Sequence, residues 1–408
     1  MNILEDLKAR KIVSDVTNVT KINQLKKNDG VYIGFDPSAC SLHLGNYIQI
    51  ALLKRFEQFG LKPFAIIGGA TGMIGDPSGK SEERNLLDEK AVLKNKQIIT
   101  RQLKSFKLNV VDNYDFYKNM TVIDFMRDIG KYLNINYMIN KEIVKNRLQA
   151  GISFTEFAYQ LIQGWDFKVL YDKYHVMLQV GGSDQWGNIT AGLELIRKTM
   201  GENNKAVGLT TNLLTTSSGK KFGKTENNAL WLDEKLTSPY ELYQYLFNSD
   251  DENVGTYLNW LTFLSITKIK QIMQEHKQTP HARYAQKTLA YEVVRDIHGV
   301  VKVNEALKIS SVLFGIDNID VLSKSEFLEL TKQFKSFIFK GGLLVDVLVM
   351  IKAASSKREA REFINAKAIQ VNGKIIVDNN FVIANEPFID KYTIIKRGKK
   401  KYFLLQHH

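Results

Sequence analysis

Residues 31–59 read VYIGFDPSACSLHLGNYIQIALLKRFEQF, and they predict the first structural unit of the chain. The first five of them, Val31 to Phe35, are apolar or small and predict a buried strand. After the turn residues Asp36-Pro37-Ser38, apolar side chains recur at helical spacing from Leu44 to Phe59. The stretch therefore predicts a strand followed by an amphipathic helix.

A second apolar strand follows this helix. Gly60 and Pro63 end the helix, and Phe64 to Ile67 form a strand that runs into the glycine-rich segment 68–72. By default, such a strand–helix–strand unit pairs its strands in parallel with a right-handed crossover. We therefore expect an α/β fold with a Rossmann-like, doubly wound parallel sheet.

The later parts of the chain have different patterns. Another strand, Val176 to Val180, leads into a helix, and a helical, strand-poor pattern then covers the region from about Pro239 to Ser323. Near the end, a short basic helix at Lys357 to Asn365 precedes a strand pair joined by Asn372-Gly373, a strong hairpin signal. We expect an α/β domain at 1–230, a helical domain at 231–325, a linker at 326–340 and a small α+β domain at 341–408.

Composition limits the class of protein. The 44% of hydrophobic residues can bury more than one core, and no apolar run approaches the roughly 18 residues that cross a bilayer. Residues 1–11 mix charges with Leu and Ile, unlike a signal peptide. Cys40 is the one cysteine, and no Cys/His pair has the spacing of a zinc site. We expect a cytoplasmic protein without a membrane segment, a disulfide or a zinc ion.

The positive charge lies partly at the C-terminal end. The chain has 56 Lys and Arg against 43 Asp and Glu, a formal net charge of +13, and its last 68 residues hold 12 basic and 6 acidic side chains. A polyanionic partner would explain this excess, and so would lysines that keep the protein soluble. Charge alone leaves both interpretations open. His407 and His408 have no partner in the pattern, and we interpret them as remnants of a purification tag.

Two common nucleotide-binding motifs are absent. The segment 75–81, GDPSGKS, has three residues between its glycines where a P-loop has four. Neither early strand is followed by the glycine-x-glycine start of the dinucleotide fingerprint. The sequence therefore disfavours a P-loop nucleotidase and a dehydrogenase.

The residues His43-Leu44-Gly45-Asn46 lie where the first long helix begins. An imidazole donor beside free backbone amides can hold a polyphosphate, although a histidine in this place is more often a cap or a packing residue. Gly45 favours the ligand, because its missing Cβ lets a flat group such as adenine approach the backbone.

A polar stripe lies on an otherwise apolar helix. A capping box at residues 153–156 starts the helix, and Tyr159, Gln163 and Asp166 fall within about 60° of one another on the helical wheel. A solvated face is the usual explanation of such a stripe. Residues 153–167 contain no Lys or Arg, however, so a buried stripe that binds a small polar ligand is the second interpretation.

A loop with closely spaced lysines follows at residues 217–225, SSGKKFGKT. Such loops are usually solvated surface. Beside His43, however, Lys221 and Lys224 would bring two ammonium groups to phosphate charge that builds up only during reaction.

Together these motifs resemble those of bacterial-type tyrosyl-tRNA synthetases, a class I family, over essentially the whole chain. Residues 43–46 are similar to the HIGH signature and residues 221–225 to the KMSKS loop. The polar stripe and residues 182–188, GSDQWGN, point to the tyrosyl branch. Residues 356–361, SKREAR, lie in a segment that is similar to an S4 RNA-binding module. Asn46 and Thr225 depart from the signatures, and the departures concern rate more than identity.

The resemblance implies an enzyme that activates L-tyrosine with ATP and then transfers it to the 3′-terminal adenosine of tRNA(Tyr). ATP is then a substrate, and Mg²⁺ is expected with it, although no residue is assigned as a metal ligand. The resemblance also implies a homodimer, with residues 118–147 as a candidate interface. The phenol of tyrosine would lie against Tyr32 and Asp166. The implied tyrosine-binding residues are Tyr32, Gly34, Asp36, Asp76, Tyr159, Gln163, Asp166, Gln179 and Gln185. The implied ATP-binding residues are Gly34, Ser38, His43, Gly45, Asn46, Gly182, Asp184, Lys221 and Lys224. The implied catalytic residues are His43, Asn46, Lys80, Arg84, Lys221, Lys224 and Thr225, and the implied RNA-binding residues are Lys357, Arg358 and Arg361.

Two other functions are open to this sequence. The basic C-terminal segment alone would allow an inactive protein that serves as a scaffold for structured RNA, but such a scaffold has no use for a pocket that fits both substrates. A tryptophan-specific relative is the other alternative, and Tyr32 with the polar stripe favours a phenol over an indole.

Overall fold

The computed structural model describes residues 2–76, 78, 88–141, 144–145, 151–216, 219, 222–223, 229–314, 316–398 and 401–407. The chain forms two compact units. The first contains the residues up to Thr237 together with Ser249–Glu292, and the second contains Ser238–Asn248 together with the residues from Val293 onward. The domain boundaries expected from the sequence stay predictions. Within the described ranges, no helix is both long and apolar enough to span a membrane.

A six-stranded sheet forms the centre of the first unit. Five of its strands are parallel, and the strand nearest the N-terminus pairs antiparallel at one edge. The order across the sheet is β1-β6-β5-β2-β3-β4. The strands are β1 Val13–Val16, β2 Gly30–Phe35, β3 Lys62–Ile67, β4 Asn109–Asp112, β5 Val176–Gly182 and β6 Val207–Thr211. The predicted parallel pairing of the first two long strands is confirmed, as is the mixed α/β fold with a parallel sheet.

Helices cover this sheet. The helix predicted from Leu44 is present with almost the expected length. The helices of the first unit before the sheet ends are α1 Ile3–Ala9, α2 Val19–Asn23, α3 Leu44–Gln58, α4 Thr71–Ile74, α5 Glu89–Ser105, α6 Tyr114–Tyr117, α7 Val122–Asp128, α8 Ile135–Ile139, α9 Phe154–Tyr174 and α10 Trp186–Met200. Two glycines, Gly164 of α9 and Gly192 of α10, let these two helices approach closely, since a Cβ on Gly164 would lie 3.4 Å from the Cα of Gly192.

Further helices follow the sheet. They are α11 Pro239–Phe247, α12 Val254–Leu261, α13 Ile266–Gln278 and α14 Tyr284–Leu313. Gly299, with a φ of 87°, interrupts the helical backbone of α14. In the first unit, α12 packs against α3, so part of the helical region belongs to the unit that contains the sheet.

The C-terminal part of the second unit is a small mixed structure. Its helices are α15 Lys324–Thr331, α16 Leu344–Met350 and α17 Lys357–Asn365, and its strands are β7 Ser336–Phe339, β8 Gly342–Leu343, β9 Ile369–Val371, β10 Lys374–Ile375, β11 Val382–Ile383, β12 Tyr392–Arg397 and β13 Lys401–His407. Five strands form a sheet in the order β10-β9-β12-β13-β7. The predicted basic helix and the predicted hairpin at Asn372-Gly373 are confirmed, both turn residues having positive φ.

The expectation that His407 has no partner is wrong. His407 is the last residue of β13, where it pairs with Phe339 of β7. Its ring is buried, with Nε2 2.9 Å from Thr393 Oγ1 and Nδ1 3.2 Å from Asn385 Oδ1. A residue with this many specific contacts is part of the fold. His408 lies outside the described residues.

Candidate active site

The central parallel strands end at a cavity. In a doubly wound sheet, ligands bind where successive crossovers run in opposite directions, and here this point lies between β2 and β5. A cavity of about 310 Å³, called the central cavity below, lies there. Gly34 is the exposed position of β2, and among the described parts of the chain no atom lies within 4 Å of a Cβ built on it. The strand backbone therefore forms part of the cavity wall.

The buried carboxylate of Asp166 lies near the hydroxyl groups of two tyrosines, Tyr117 and Tyr32. Asp166 of α9 accepts a hydrogen bond at Oδ2 from Asn113 Nδ2 (2.9 Å) and at Oδ1 from Tyr117 Oη (2.6 Å). Tyr32 of β2 lies in the same cavity wall with its ring 5.4 Å from that of Phe167. Its hydroxyl is buried and has no hydrogen-bond partner among the residues that the structure describes. A phenolic ligand would find both a carboxylate acceptor and an unpaired hydroxyl here.

The surroundings of Asp166 control its charge. Burial is the largest effect and raises the pKa of Asp166 to about 7, although the hydrogen bonds from Tyr117 and Asn113 lower it. The negative charges of Asp36 and Asp112 add to the increase. Burial, followed by the charge of Asp166, also raises the pKa of the Tyr117 phenol well above its ordinary value. Tyr117 therefore stays neutral near pH 7.

A second carboxylate, Asp36, follows β2 directly. Thr71 Oγ1 donates to its Oδ1 (2.7 Å), and Tyr159 Oη donates to its Oδ2 (3.3 Å). A Cβ on Gly68 would lie 1.9 Å from Asp36 Oδ1, so this carboxylate position requires a glycine at the end of β3. Asp36 thus places a carboxylate in the cavity wall, and the hydroxyl groups of Thr71 and Tyr159 are two of the donors that orient it.

A third carboxylate, Asp76, is held by amide side chains. Gln185 Nε2 donates to its Oδ2 (2.7 Å), while the Ser78 amide (2.9 Å) and Asn188 Nδ2 (3.4 Å) donate to its Oδ1. Gln163 Nε2 in turn donates to Gln185 Oε1 (3.2 Å). These bonds connect the polar stripe of α9 with the GSDQWGN segment, so the interpretation of the stripe as a solvated face is wrong.

His43 is the N-cap of α3. Its Nδ1 accepts a hydrogen bond from the backbone nitrogen of Asn46 (3.3 Å), and its own backbone nitrogen donates to Asn46 Oδ1 (3.0 Å). Because a backbone N–H only donates, Nδ1 carries no proton, and the neutral ring carries its proton on Nε2. The cap therefore fixes a tautomer that can donate to an anion, so that the two interpretations of His43 are compatible.

Two described residues of the lysine loop, Phe222 and Gly223, contact neighbouring helices. A Cβ on Gly45 would lie 2.8 Å from Cε1 of His43, so the missing Cβ makes room for the histidine ring itself. A Cβ on Gly223 would lie 2.5 Å from the Gly45 nitrogen, and Gly223 has a φ of +85°. The preceding Phe222 is buried, with its ring 4.6 Å from that of Tyr257 in α12. The two motifs predicted to hold phosphate are thus in direct contact.

Most of the predicted ligand-binding residues meet at the central cavity. Those that line it are Tyr32, Gly34, Asp36, Ser38, Asn46, Asp76, Tyr159, Gln163, Asp166, Gln179, Gly182, Asp184 and Gln185. His43 and Gly45 lie at the adjoining beginning of α3. Lys80, Arg84, Lys221, Lys224 and Thr225 lie outside the described residues, and Lys357, Arg358 and Arg361 belong to the second unit. The role of each residue stays a prediction at this point.

Sequence reasoning does not find several residues that hold the site together. Asn113 and Tyr117 contact Asp166 across 53 and 49 residues of sequence. Thr71 binds Asp36, and Asn188 binds Asp76. A signal exists for the first pair, because both follow β4, and the carboxyl ends of neighbouring parallel strands meet at one edge. The four-residue strand β4 itself is too short to be recognised from its pattern.

Comparison with known proteins places the chain in a family. A family model for class I tRNA synthetases (W and Y) matches residues 23–315, and a model for the tyrosine–tRNA ligase SYY-like C-terminal domain matches residues 327–405. The chain is 51% identical to a tyrosine–tRNA ligase of Ureaplasma urealyticum over 99% of this chain and 98% of the relative. It is 45% identical to that of Mycoplasmopsis pulmonis, with 99% and 98% covered.

Solved structures agree with this family. A C-terminally truncated mitochondrial tyrosyl-tRNA synthetase from Aspergillus nidulans is 32% identical and superposes with a TM-score of 0.69, covering 77% of this chain and 94% of that one. A tryptophanyl-tRNA synthetase from Encephalitozoon cuniculi shares the fold at 11% identity, with a TM-score of 0.54 and 74% and 87% of the two chains covered. The chain thus belongs to the tyrosine–tRNA ligases, the tyrosyl branch of the class I tRNA synthetases.

Proposed function

We propose that this chain joins L-tyrosine to tRNA(Tyr) in two steps at the central cavity, and that it does so in the cytoplasm, where translation takes place. ATP and tyrosine first give tyrosyl adenylate and pyrophosphate, and the tyrosyl group then passes to the 3′-terminal adenosine of the tRNA. The observation that carries this proposal is the buried pair of Tyr32 and Asp166. The hydroxyl of Tyr32 has no partner among the described residues, and the carboxylate of Asp166 is an acceptor, so that together they fit a phenol.

Each part of tyrosine has a matching group in the cavity. The phenolic hydroxyl donates to Asp166 and accepts from Tyr32. The ammonium group is assigned to Asp76, Tyr159 and Gln163. Gln185 connects Gln163 to Asp76, and Tyr159 donates to Asp36, so that two carboxylates lie in this part of the wall. The remaining tyrosine-binding assignments are Gly34, Asp36 and Gln179 in the cavity wall and Gln185 near the carboxylate.

Activation needs no general base. The carboxylate of tyrosine is ionised at neutral pH and attacks the α-phosphorus of ATP, and the bond to the bridging oxygen breaks as pyrophosphate leaves. The protein therefore acts by positioning and by stabilising charge on the leaving group. Nε2–H of His43 and the side-chain amide of Asn46 are donors for this purpose. Lys80, Arg84, Lys221, Lys224 and Thr225 are assigned to the same pyrophosphate.

The nucleotide is bound beside these groups. Asp184 is assigned to the ribose of ATP, and Gly34, Ser38, Gly45 and Gly182 to the backbone and turn positions against which the nucleotide packs. Mg²⁺ is expected to arrive on the phosphates of ATP, since the described part of the chain holds no group of three His, Cys, Asp or Glu side chains that fits a metal ion. Bound there, it would neutralise phosphate charge.

We assign the C-terminal segment to RNA binding as an S4-like module. Helix α17 buries Ala360 and Ile364 on one side, while Lys357, Arg358 and Arg361 are exposed. Such a one-sided distribution fits a helix that packs on a core and presents its cations to a phosphate backbone.

Reversal of these three charges, Lys357→Glu, Arg358→Glu and Arg361→Glu, is expected to raise KM for tRNA at least about tenfold, since each lost phosphate contact weakens binding. The salt dependence of tRNA binding should become shallower. Tyrosine activation without tRNA provides the internal control and should stay within about twofold. Aminoacylation with an unchanged KM for tRNA would contradict the assignment.

A homodimer is supported by apolar side chains on α7 and α8. Val122 is 77% exposed, Ile123 72% and Ile135 62%, and such a patch on a soluble protein usually marks an interface. We assign it to a second copy of this chain. A monomeric mass in light scattering at micromolar concentration would exclude this assignment.

The proposed function is tested by amino-acid-dependent ATP–pyrophosphate exchange on the full chain without tRNA. Tyrosine should support exchange, whereas phenylalanine and tryptophan should be slower by at least about 10³-fold in kcat/KM, because they leave buried polar groups unpaired. Absence of exchange with all three amino acids, from folded protein, would overturn the activation step. Comparable exchange with tryptophan would overturn the substrate assignment.

A further inference from the structure

The hydroxyl of Tyr117 lies between two oxygen atoms. Its Oη is 2.6 Å from Oδ1 of Asp166 and 2.7 Å from the carbonyl oxygen of Ile162. A phenol has one proton and can donate it fully to one of these atoms at a time, and the carbonyl cannot donate in return. When Asp166 is ionised, Tyr117 donates to Oδ1. When Asp166 is protonated, its O–H can donate to the hydroxyl oxygen of Tyr117, and the hydroxyl of Tyr117 then donates to the carbonyl oxygen of Ile162.

The proton of a neutral Asp166 belongs on Oδ1. Asn113 Nδ2 donates to Oδ2 at 2.9 Å, and an amide nitrogen cannot accept a hydrogen bond. Asn113 is fixed in this orientation, because its Oδ1 accepts from the backbone nitrogen of Ala70 (2.8 Å) and its Nδ2 also contacts Thr71 Oγ1 (3.2 Å). A proton on Oδ2 would face a donor, so Oδ2 stays an acceptor in both charge states.

The hydrogen-bond partners of the two Asp166 oxygens, Asn113 and Tyr117, line different cavities. Asn113 and Asp166 line the central cavity, whereas Tyr117 lines a separate apolar groove with Ile162 and Phe125. Oδ2, on the Asn113 side, therefore faces the ligand, and Tyr117 acts on Oδ1 from behind. We propose that Tyr117 is a positioning residue that takes up either proton arrangement of Asp166, so that Oδ2 remains the acceptor for the phenolic hydroxyl of the substrate at any pH near neutrality.

Asp166 changes between its charged and neutral forms near neutral pH. Burial raises the pKa of Asp166 to about 7, with Asp36 and Asp112 adding to the effect, so both charge states of the free enzyme are populated. The other ionisable neighbours are Tyr32 and Tyr159, whose own pKa values are raised well above the ordinary value by burial. They stay neutral, so Asp166 is the group of this set that changes charge in this range.

This inference rests on the proposed function, because it takes the phenol of tyrosine as the ligand. The test is the tyrosine/phenylalanine ratio of kcat/KM in pyrophosphate exchange, measured from pH 6 to 9 for the full chain and for Tyr117→Phe. Titrations of ATP and of the substrate ammonium cancel in this ratio. Tyr114→Phe changes another tyrosine of the same helix, 42% exposed, and is the matched control.

In the wild type and in Tyr114→Phe, the ratio should stay constant within about twofold over this range. In Tyr117→Phe, the proton of neutral Asp166 has lost its acceptor and competes with the substrate hydroxyl, so the ratio should fall at least about tenfold at pH 6. It should then recover as the pH rises and Asp166 ionises. A ratio that is independent of pH in Tyr117→Phe would overturn the inference, whereas a wild type without tyrosine-dependent exchange would overturn the proposed function instead.

A second variant decides the question if Tyr117→Phe does not fold. Asp166→Asn resembles the protonated aspartic acid, since its amide nitrogen can donate to Tyr117 while its oxygen accepts from Asn113 and from the substrate. It should keep the tyrosine/phenylalanine ratio within about tenfold of wild type, without pH dependence. A ratio as low as that of Asp166→Ala would show that Tyr117 cannot serve as the acceptor.

Discussion

Replacement of Asp166 by alanine is expected to lower the tyrosine/phenylalanine ratio of kcat/KM by at least about 10³-fold, mostly through loss of activity with tyrosine. Sites that hydrogen-bond a substrate hydroxyl reject the analogue lacking it by about 10⁴–10⁵-fold, and tyrosyl-tRNA synthetases are themselves the known example. The reason is that phenylalanine leaves the buried Asp166 and Tyr32 unpaired. Alanine removes the acceptor, so tyrosine loses its advantage. Pyrophosphate exchange with both amino acids measures the ratio.

The same variant should remain folded, which is the control. Tyr117 keeps the Ile162 carbonyl as a partner, and Asn113 keeps Thr71. The pKa of Asp166 is raised from its ordinary 3.8 to about 7, so its contribution to stability is present below about pH 4 and is lost as the pH rises through 7. The melting temperature of Asp166→Ala relative to wild type should therefore rise between pH 4 and pH 8. An unchanged substrate ratio in folded protein would contradict the assignment of Asp166.

The sequence predicts those parts of the fold whose patterns are long and regular. Strand β2, helix α3 and strand β3 carry continuous apolar patterns, and their parallel pairing follows from handedness alone. The hairpin at Asn372-Gly373 is predicted because two successive residues need positive φ. By contrast, β1 pairs at the sheet edge with β6, almost 200 residues later, and β7 pairs in parallel with the final strand. Pairings of this kind depend on tertiary contacts that no local pattern contains.

The candidate site divides in the same way. Groups that lie in recognisable motifs, such as His43 and the polar stripe of α9, are found from the sequence. The residues that orient them are not, because Asn113 and Tyr117 are ordinary polar and aromatic side chains until the fold brings them to Asp166. The reason for Gly45 also differs from the predicted one, since its first neighbour is the ring of His43.

Replacement of Gly223 by alanine is expected to slow tyrosyl adenylate formation by at least about 10²-fold, with little change in tyrosine binding in the absence of ATP. A Cβ at this position would lie 2.5 Å from the backbone nitrogen of Gly45 and 3.1 Å from the Leu44 carbonyl carbon. Both are backbone atoms at the beginning of α3 and cannot turn aside. The loop must therefore move away from the His43 turn, and a displacement of about 1 Å at a reacting centre can cost about 10²-fold in rate.

Gly219 provides a matched control in the same loop. Its φ is +76°, close to the +85° of Gly223, but no atom of the described residues lies within 4 Å of a Cβ built on it. Gly219→Ala therefore carries the same left-handed strain, about 1–2 kcal/mol, without the clash. Stopped-flow or quenched-flow measurement of adenylate formation, with tyrosine binding by calorimetry, separates the two effects. Equal losses in both variants would assign the effect to backbone strain, and loss of tyrosine binding in Gly223→Ala would show that the contact with α3 supports the amino-acid site and not the phosphate chemistry.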